Sequence, residues 1–532
     1  MKNDIQHDGR NFLMTIIATG LLSLFSSPAH GQAEATSLND KQDVLFAFDD
    51  VSIEGTRGVK LEMMRPDKHP GNPILERGKA GEVDEHQAIW PAVIYDDGLW
   101  RMWYRATVSS DYYKSLVGYA ESDDGITWRK PELGLTEFNG SKRNNLVKMV
   151  RSLVTISVMI DKEAPPEHRY VLAGEDMSWW TPWTLESPSN TRVDVSRDGL
   201  EWTPLRDEGI VPQIQEVFTA YKFKGNYHVG GQQASPLLRL PMQTIPRGKV
   251  HGLGPRTFVV SRSPRIDRWT LENTKAFFKP MRSSSPYLEG WDGEEVHAVN
   301  VTTYRNVCLG VYGQWHHPPV ADEEGWETKY DGNAVSVDLG LIISNDGLHY
   351  REPAPGFILL ARDQELRWDR DYKDNEDKDN ILLIQGPLIN TDQLTHLYYA
   401  ASTPGGNVAE VKFNIGLATW PRDRFGYLSL IDEKTTGQFV TCAQEYEQGM
   451  KLYVNADIPP GSSLQVYLLD EYGLDVLPGY GATDGGDVKE SGLDVEVVWK
   501  NKPLLPTGQR FKIRCEIKGQ TRVYALYLRE PE

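Results

Sequence analysis

An all-β fold, a five-bladed β-propeller followed by a C-terminal β-sandwich, is predicted by three observations. One turn is spelled three times at a fixed interval, apolar-polar alternation runs through most of the chain, and helical periodicity is nearly absent. The turn reads SDDGITW from Ser122, SRDGLEW from Ser196 and SNDGLHY from Ser344. Gly125 and Gly199 stand 74 residues apart, and Gly347 follows after a further 148, twice that interval. Two degenerate copies without the glycine, SPRIDRW from Ser263 and WPRDRF around Pro421, bring the count to five. An Asp-Gly pair supplies the positive φ angles of a tight turn, the Ser and Asp side chains bond local backbone, and the aromatic packs beneath. Repeats of this length, each holding several short strands, are the signature of stacked four-stranded blades.

The elements follow in order. Residues 1–33 carry Lys2 and Arg10, the apolar run FLMTIIATGLLSLF (Phe12 to Phe25) and then small residues, the pattern of a cleaved signal peptide. The run is too short to span a bilayer confidently, so a secreted or periplasmic protein is expected, with no membrane contact beyond export. Residues 34–69 read as an extension of one or two strands that packs on the propeller and could close it against the last blade. The propeller, the expected catalytic domain, occupies 70–432. Its hairpins are PAVIYDDGLWRMWY, ISVMIDKEAPPEHRYVLA, FTAYKFKGNYHVGG, VNVTTYRNVCLGVY and PLINTDQLTHLYYA. After Glu433 the strands alternate without the repeated turn, which places an accessory β-sandwich at 433–532.

Composition narrows the partners. The chain of 532 residues has a net charge of −18, which disfavours nucleic acid and anionic membranes. Three cysteines, Cys308, Cys442 and Cys515, cannot make a disulfide scaffold or a thiolate zinc site; Cys442 and Cys515 could pair or stay free. No phosphate-cradling glycine loop, serine nucleophile elbow or redox-cofactor motif occurs. No cofactor is expected, although calcium held by carboxylates stays open. A monomer or simple homo-oligomer is expected.

Beyond this point the chain resembles the five-bladed propeller glycoside hydrolases, the group of arabinanases, β-xylosidases and invertases, over most of residues 70–532. GNPILERGKAGEVDEHQAIWPAVIYDDGLWRMWY is similar to the first blade of bacterial secreted members, and EVFTAYKFKGNYHV to the segment in which a glutamate opening the inner strand is the general acid. The resemblance implies a secreted glycosidase cleaving a plant or algal poly- or oligosaccharide, with Glu216 as acid. The same slot in the other overlaid blades holds Ile89, His297 and Gln385. The family's aspartate-proline of blade one is Trp90-Pro91 here, and the inner strand of blade two, LVTISVM, has no aspartate. The family's three-carboxylate set therefore does not transfer.

The residues themselves support part of this. Glycoside cleavage needs one protonated and one ionised carboxyl across the scissile bond. Glu216 has apolar neighbours, Ile214, Val217 and Phe218, which would raise its pKa toward the acid role. Its partner is sought first in Asp84 or Glu85, then in Glu295. His86 and His297 open blades one and four and could bond sugar hydroxyls. Trp90 and Trp180 offer stacking faces, Gln385 stands at a blade opening, and Arg151 could hold an anionic sugar. A non-catalytic carbohydrate-binding propeller and a glycoside phosphorylase are the alternatives.

Overall fold

The computed structural model describes residues 39–109, 114–176, 191–206, 215–234, 256–269, 275–278, 294–316, 336–362, 381–402 and 411–531. These residues are nearly all β: seven sheets and one short 3-10 turn, Pro166–His168. No helix among them is long and apolar enough to cross a membrane.

Five of the sheets are meanders laid down in chain order. Sheet one is Gln87–Asp96, Leu99–Thr107 and Leu116–Ser122; sheet two is Leu153–Ile160, Tyr170–Asp176, Thr191–Ser196 and Thr203–Pro204. Sheet three is Gln215–Phe223, Asn226–Ala234, Arg256–Ser263 and Lys275–Phe278, and sheet four is Glu294–Thr303, Cys308–His316 and Ser336–Ser344. Sheet five combines Leu382–Leu383, Ile389–Asn390, Leu394–Ser402 and Phe413–Pro421 with Asp67–Lys68 from the start of the chain. Each sheet packs on the next, and sheet five packs back on sheet one.

The sequence explains these contacts at two levels. Near the centre, a hydroxyl on one first strand accepts an amide of the next sheet. Ser157 Oγ takes Ala220 N–H at 2.9 Å, Thr219 Oγ1 takes Val301 N–H at 3.2 Å, and Thr302 Oγ1 takes Leu388 N–H at 2.6 Å. Between sheets five and one a glycine does the work instead, for a Cβ on Gly386 would lie 2.9 Å from the Pro91 carbonyl oxygen.

Farther out, the repeated turn is the fastening. In each copy the serine hydroxyl accepts the glycine amide, at 2.9 to 3.0 Å, and the Asp carboxylate accepts the two amides that follow. The turn's glycine carbonyl then receives a donor from the preceding sheet: Tyr398 OH on Gly125 (2.7 Å), Trp103 Nε1 on Gly199 (2.6 Å) and Tyr221 OH on Gly347 (2.7 Å). These glycines have φ of +73°, +78° and +74°, and a Cβ on Gly199 would sit 2.5 Å from the Trp103 ring. The spelling recurs because the same inter-sheet joint recurs. In the copy from Ser263 the Trp269 indole still caps the turn, on Ile266 O at 2.7 Å. In the copy around Pro421, Asp423 is fully buried and accepts from Tyr304, Asn390 and Tyr527.

The remaining two sheets mix both ends of the chain. One holds Gln42–Phe46, Val59–Met63, Gly426–Leu430, Lys451–Asp457, Gly492–Glu496 and Arg522–Arg529; the other holds Ile53–Arg57, Thr436–Thr441, Ser463–Asp470, Asp487–Val488 and Phe511–Lys518. The early strands thus pair with the tail, Gln42 opposite Arg529, and only Asp67–Lys68 completes sheet five. Cys308 and Cys515 are free and buried, and Cys442 is free as well, so Cys442 and Cys515 do not pair.

Candidate active site

The first strands of sheets one, three and four share one irregularity. Near its start each carries a bulge whose extra residue adopts a left-handed backbone: Trp90 (φ +59°), Glu216 (φ +44°) and Ala298 (φ +53°). Such angles are costly for non-glycine residues and cluster where side chains are re-aimed. The structural equivalents of Glu216 are therefore Trp90 and Ala298, one residue beyond the Ile89 and His297 of the sequence overlay. Only one of the three positions is a carboxylate.

Around this level lies an aromatic and amide belt. Trp90 is 2 % exposed, and its ring centre lies 5.6 Å from both Phe218 and His297; His297 also packs on Trp315 at 4.4 Å. Fully buried Gln385 donates its amide to Phe218 O at 2.8 Å. With its amide oriented to satisfy its neighbours, Asn300 donates to the Gln385 and Phe218 carbonyls at 2.7 and 3.1 Å. Trp90, His297 and Gln385 are thus brought together with the strand that carries Glu216.

Glu216 is half-buried, and its backbone N–H bonds the carboxyl of Glu175. Glu175 is the last but one residue of the second strand of sheet two and is 6 % exposed. Burial first, and the charge of Glu216 second, push its carboxyl up to about 8. Glu175 is thus the protonated member beside the charge of Glu216, and the titration of one depends on the other. Beside them stand two ion pairs, Arg192 with Asp176 at 3.5 Å and Arg151 with Asp194 at 3.2 Å. Burial raises Asp194 to about 6 against the pull of Arg151. Sequence reading missed Glu175. The available signal was YVLAGED, a strand buried along its whole length that ends in two acids, a costly pattern unless the acids have a role.

The other expected residues are placed as follows. Asp84 is 1 % exposed and tied to Lys130 Nζ (2.6 Å) and Tyr104 OH (2.8 Å), so it braces the loop before sheet one. Glu85 is half-buried, with its carboxylate on the Gly81 amide, and half-buried His86 donates its backbone N–H to Thr107 O at 3.0 Å. Arg151 is held by Asp194 and by Arg206 O at 2.7 Å. Glu295 lies in the first strand of sheet four opposite Trp315, but its side chain, like all of Trp180, lies outside the described residues. No group of three or more His, Cys, Asp or Glu able to hold a metal ion occurs among the described residues.

No protein-family model and no curated protein matches the chain. Among solved structures it is similar to a glycosyl hydrolase from Bacteroides ovatus, with 12% identity over 68% of this chain and 95% of that one and a TM-score of 0.39. It is also similar to a β-1,2-mannobiose phosphorylase from Listeria innocua, with 13% identity, 67% and 97% coverage and a TM-score of 0.41. An N-acetylgalactosamine deacetylase from F. plautii aligns at 11% identity over 68% and 96% of the two chains, with a TM-score of 0.42. The site is accordingly read from this chain's own residues.

Proposed function

We propose that the chain is an exported glycoside hydrolase, built as a five-bladed β-propeller with a C-terminal β-sandwich, that cleaves a plant or algal poly- or oligosaccharide. The observation that carries this is the carboxyl pair: Glu216, on a left-handed bulge at the opening of an inner strand, bonds through its amide to a Glu175 carboxyl raised to about 8. Glu175 holds its proton at neutral pH, next to the charge of Glu216. Glu216 is the less buried member: it takes up the proton stored on Glu175 and delivers it to the leaving glycosidic oxygen, and Glu175 acts as the positioning residue that stores it. Glu295, near the start of the next inner strand, is the proposed partner carboxyl. Trp179, Trp180 and Trp183 follow Asp176 within seven residues of sequence and would wall the substrate.

A non-catalytic glycan-binding protein is the second reading, favoured by Trp90 in a position that could otherwise hold a second carboxylate. One assay separates them: reducing ends released from a panel of plant and algal polysaccharides, with and without phosphate. Glu216→Gln should lower kcat/KM by about 10²- to 10⁴-fold on the cleaved glycan while the melting transition persists. Turnover unchanged by that substitution removes Glu216 from the chemistry; binding without cleavage in the parent chain selects the second reading; turnover only with phosphate selects a phosphorylase.

A further inference from the structure

At the far ends of the same inner strands lies a cavity of about 550 Å³ lined from all five sheets. That volume is within the range of about 300–1,000 Å³ usual for small-molecule sites. Lys222 at its rim stands six positions along the strand from Glu216, about 20 Å at the usual rise per residue. The belt of Trp90, Phe218, Gln385 and Asn300 lies between the two levels.

The chemistry of the lining defines what it would take. Its charged residues balance, three acids (Asp40, Asp161, Glu163) against three lysines (Lys162, Lys222, Lys224). They are also engaged with one another or with backbone: Lys222 Nζ contacts Asp161 at 2.9 Å and Glu163 at 2.7 Å, Lys224 Nζ donates to Asn345 O at 2.9 Å, and Asp40 sits in the field of Lys162. With a lining of zero net charge, neither a phosphate nor a divalent cation is favoured over a neutral ligand. Beside the amides of Asn39, Asn300 and Asn390, the neutral polar groups include hydroxyls in a particular state. Ser157 Oγ and Thr219 Oγ1 each spend a lone pair on an amide of the next sheet, and a hydroxyl that accepts still has its own proton to give. Apolar Ile94, Val158 and Leu388 complete the wall. Hydroxyl donors over an apolar lining suit a ligand rich in hydroxyl oxygens and poor in charge.

We propose that this mouth is a second, non-catalytic binding site for a small neutral polyol, a mono- or disaccharide. The site is independent of the catalytic reading, since it uses none of the residues assigned to the chemistry. The test is saturation-transfer NMR and calorimetric titration of the full chain with D-glucose, cellobiose and, as charged probes, inorganic phosphate and calcium chloride. Two cavity-filling variants, Thr303→Trp and Ile160→Phe, each checked for an unchanged melting transition, address the site. A neutral sugar should bind the parent chain and Glu216→Gln alike, and both filling variants should weaken that binding at least tenfold while leaving glycan turnover unchanged. Sugar binding untouched by both filling variants, no sugar binding in any form, or binding of phosphate or calcium alone at this mouth would each overturn the assignment. Loss of turnover in Glu216→Gln with this binding intact keeps the two sites distinct.

Discussion

Asp84 and Glu175 are both buried carboxyls near the openings of inner strands, and they have been given opposite company. Asp84 faces an ammonium and a phenol, Lys130 at 2.6 Å and Tyr104 at 2.8 Å, which satisfy a full negative charge. Glu175 faces another carboxyl and one backbone amide, so the cheapest state of the pair keeps a proton. Burial is common to the two; the partner decides whether the group is a brace or a proton store. A carboxyl raised to about 8 can release a proton near neutral pH, which is what the proposed function draws on.

Removing the store should have the largest effect. Glu175→Gln should lower kcat/KM by about 10²-fold or more, and the alkaline limb of the pH–rate profile, expected near pH 8 in the parent, should move. The same variant has a stability signature of fixed sign. The folded-state pKa of Glu175 lies above its ordinary 4.5, so the native chain holds a proton that the unfolded chain has released between about 4.5 and about 8. Unfolding free energy from this group therefore falls as pH rises through that window, and Glu175→Gln should flatten the fall. Melting curves between pH 4 and 9 check it; an unchanged slope would mean the proton is not held there.

Removing the brace should act on stability and not on rate. Asp84→Asn leaves Lys130 without its counter-charge in a mostly buried setting and should cost about 1–3 kcal/mol, read as a lower denaturant midpoint with kcat unchanged. A rate loss as large as that of Glu175→Gln would erase the contrast between the two acids. Tyr104→Phe is the gentler version. It withdraws one hydrogen bond from Asp84 and the phenol oxygen to which Asn145 Nδ2 donates at 2.8 Å, while Lys130 stays, and about 1–2 kcal/mol is expected.

What could be read in the sequence follows the range of the interactions. The repeated turn was legible because its bonds run from Ser122 or Asp124 to amides within three residues, so the local spelling suffices. The tyrosine or tryptophan that fastens each turn comes from another sheet, 273 residues away for Tyr398 and Gly125, and nothing local marks it. The opening of the strand Gln215–Phe223 was marked for the same local reason, by Glu216 as one acid among apolar neighbours. Glu175 was not, because its meaning depends on the adjacent sheet bringing Glu216 beside it. Asp84 misled for the complementary reason: an acid before a strand looks alike whether a lysine 46 residues on will cover it or not. The early strands show the limit most plainly, since Gln42 finds its partner at Arg529.

Asp194 stands between the two extremes and gives the comparison its finest test. Like Asp84 it has a cation, Arg151 at 3.2 Å, and like Glu175 it is raised, to about 6, because burial and the charge of Asp176 outweigh the help from Arg151 and Arg192. Its native pKa lies above the ordinary 3.8, so its share of stability falls as pH rises from about 4 to about 6 and is constant beyond. Asp194→Asn should flatten that acidic segment and change the melting temperature at pH 7 by no more than a few degrees, the smallest effect of the series. Arg151 keeps its bond to Arg206 O at 2.7 Å in that variant, which is why little is lost. A large loss at pH 7 would show instead that Asp194 works as Asp84 does, as a brace, and that a guanidinium at this distance is as good a partner as an ammonium at 2.6 Å.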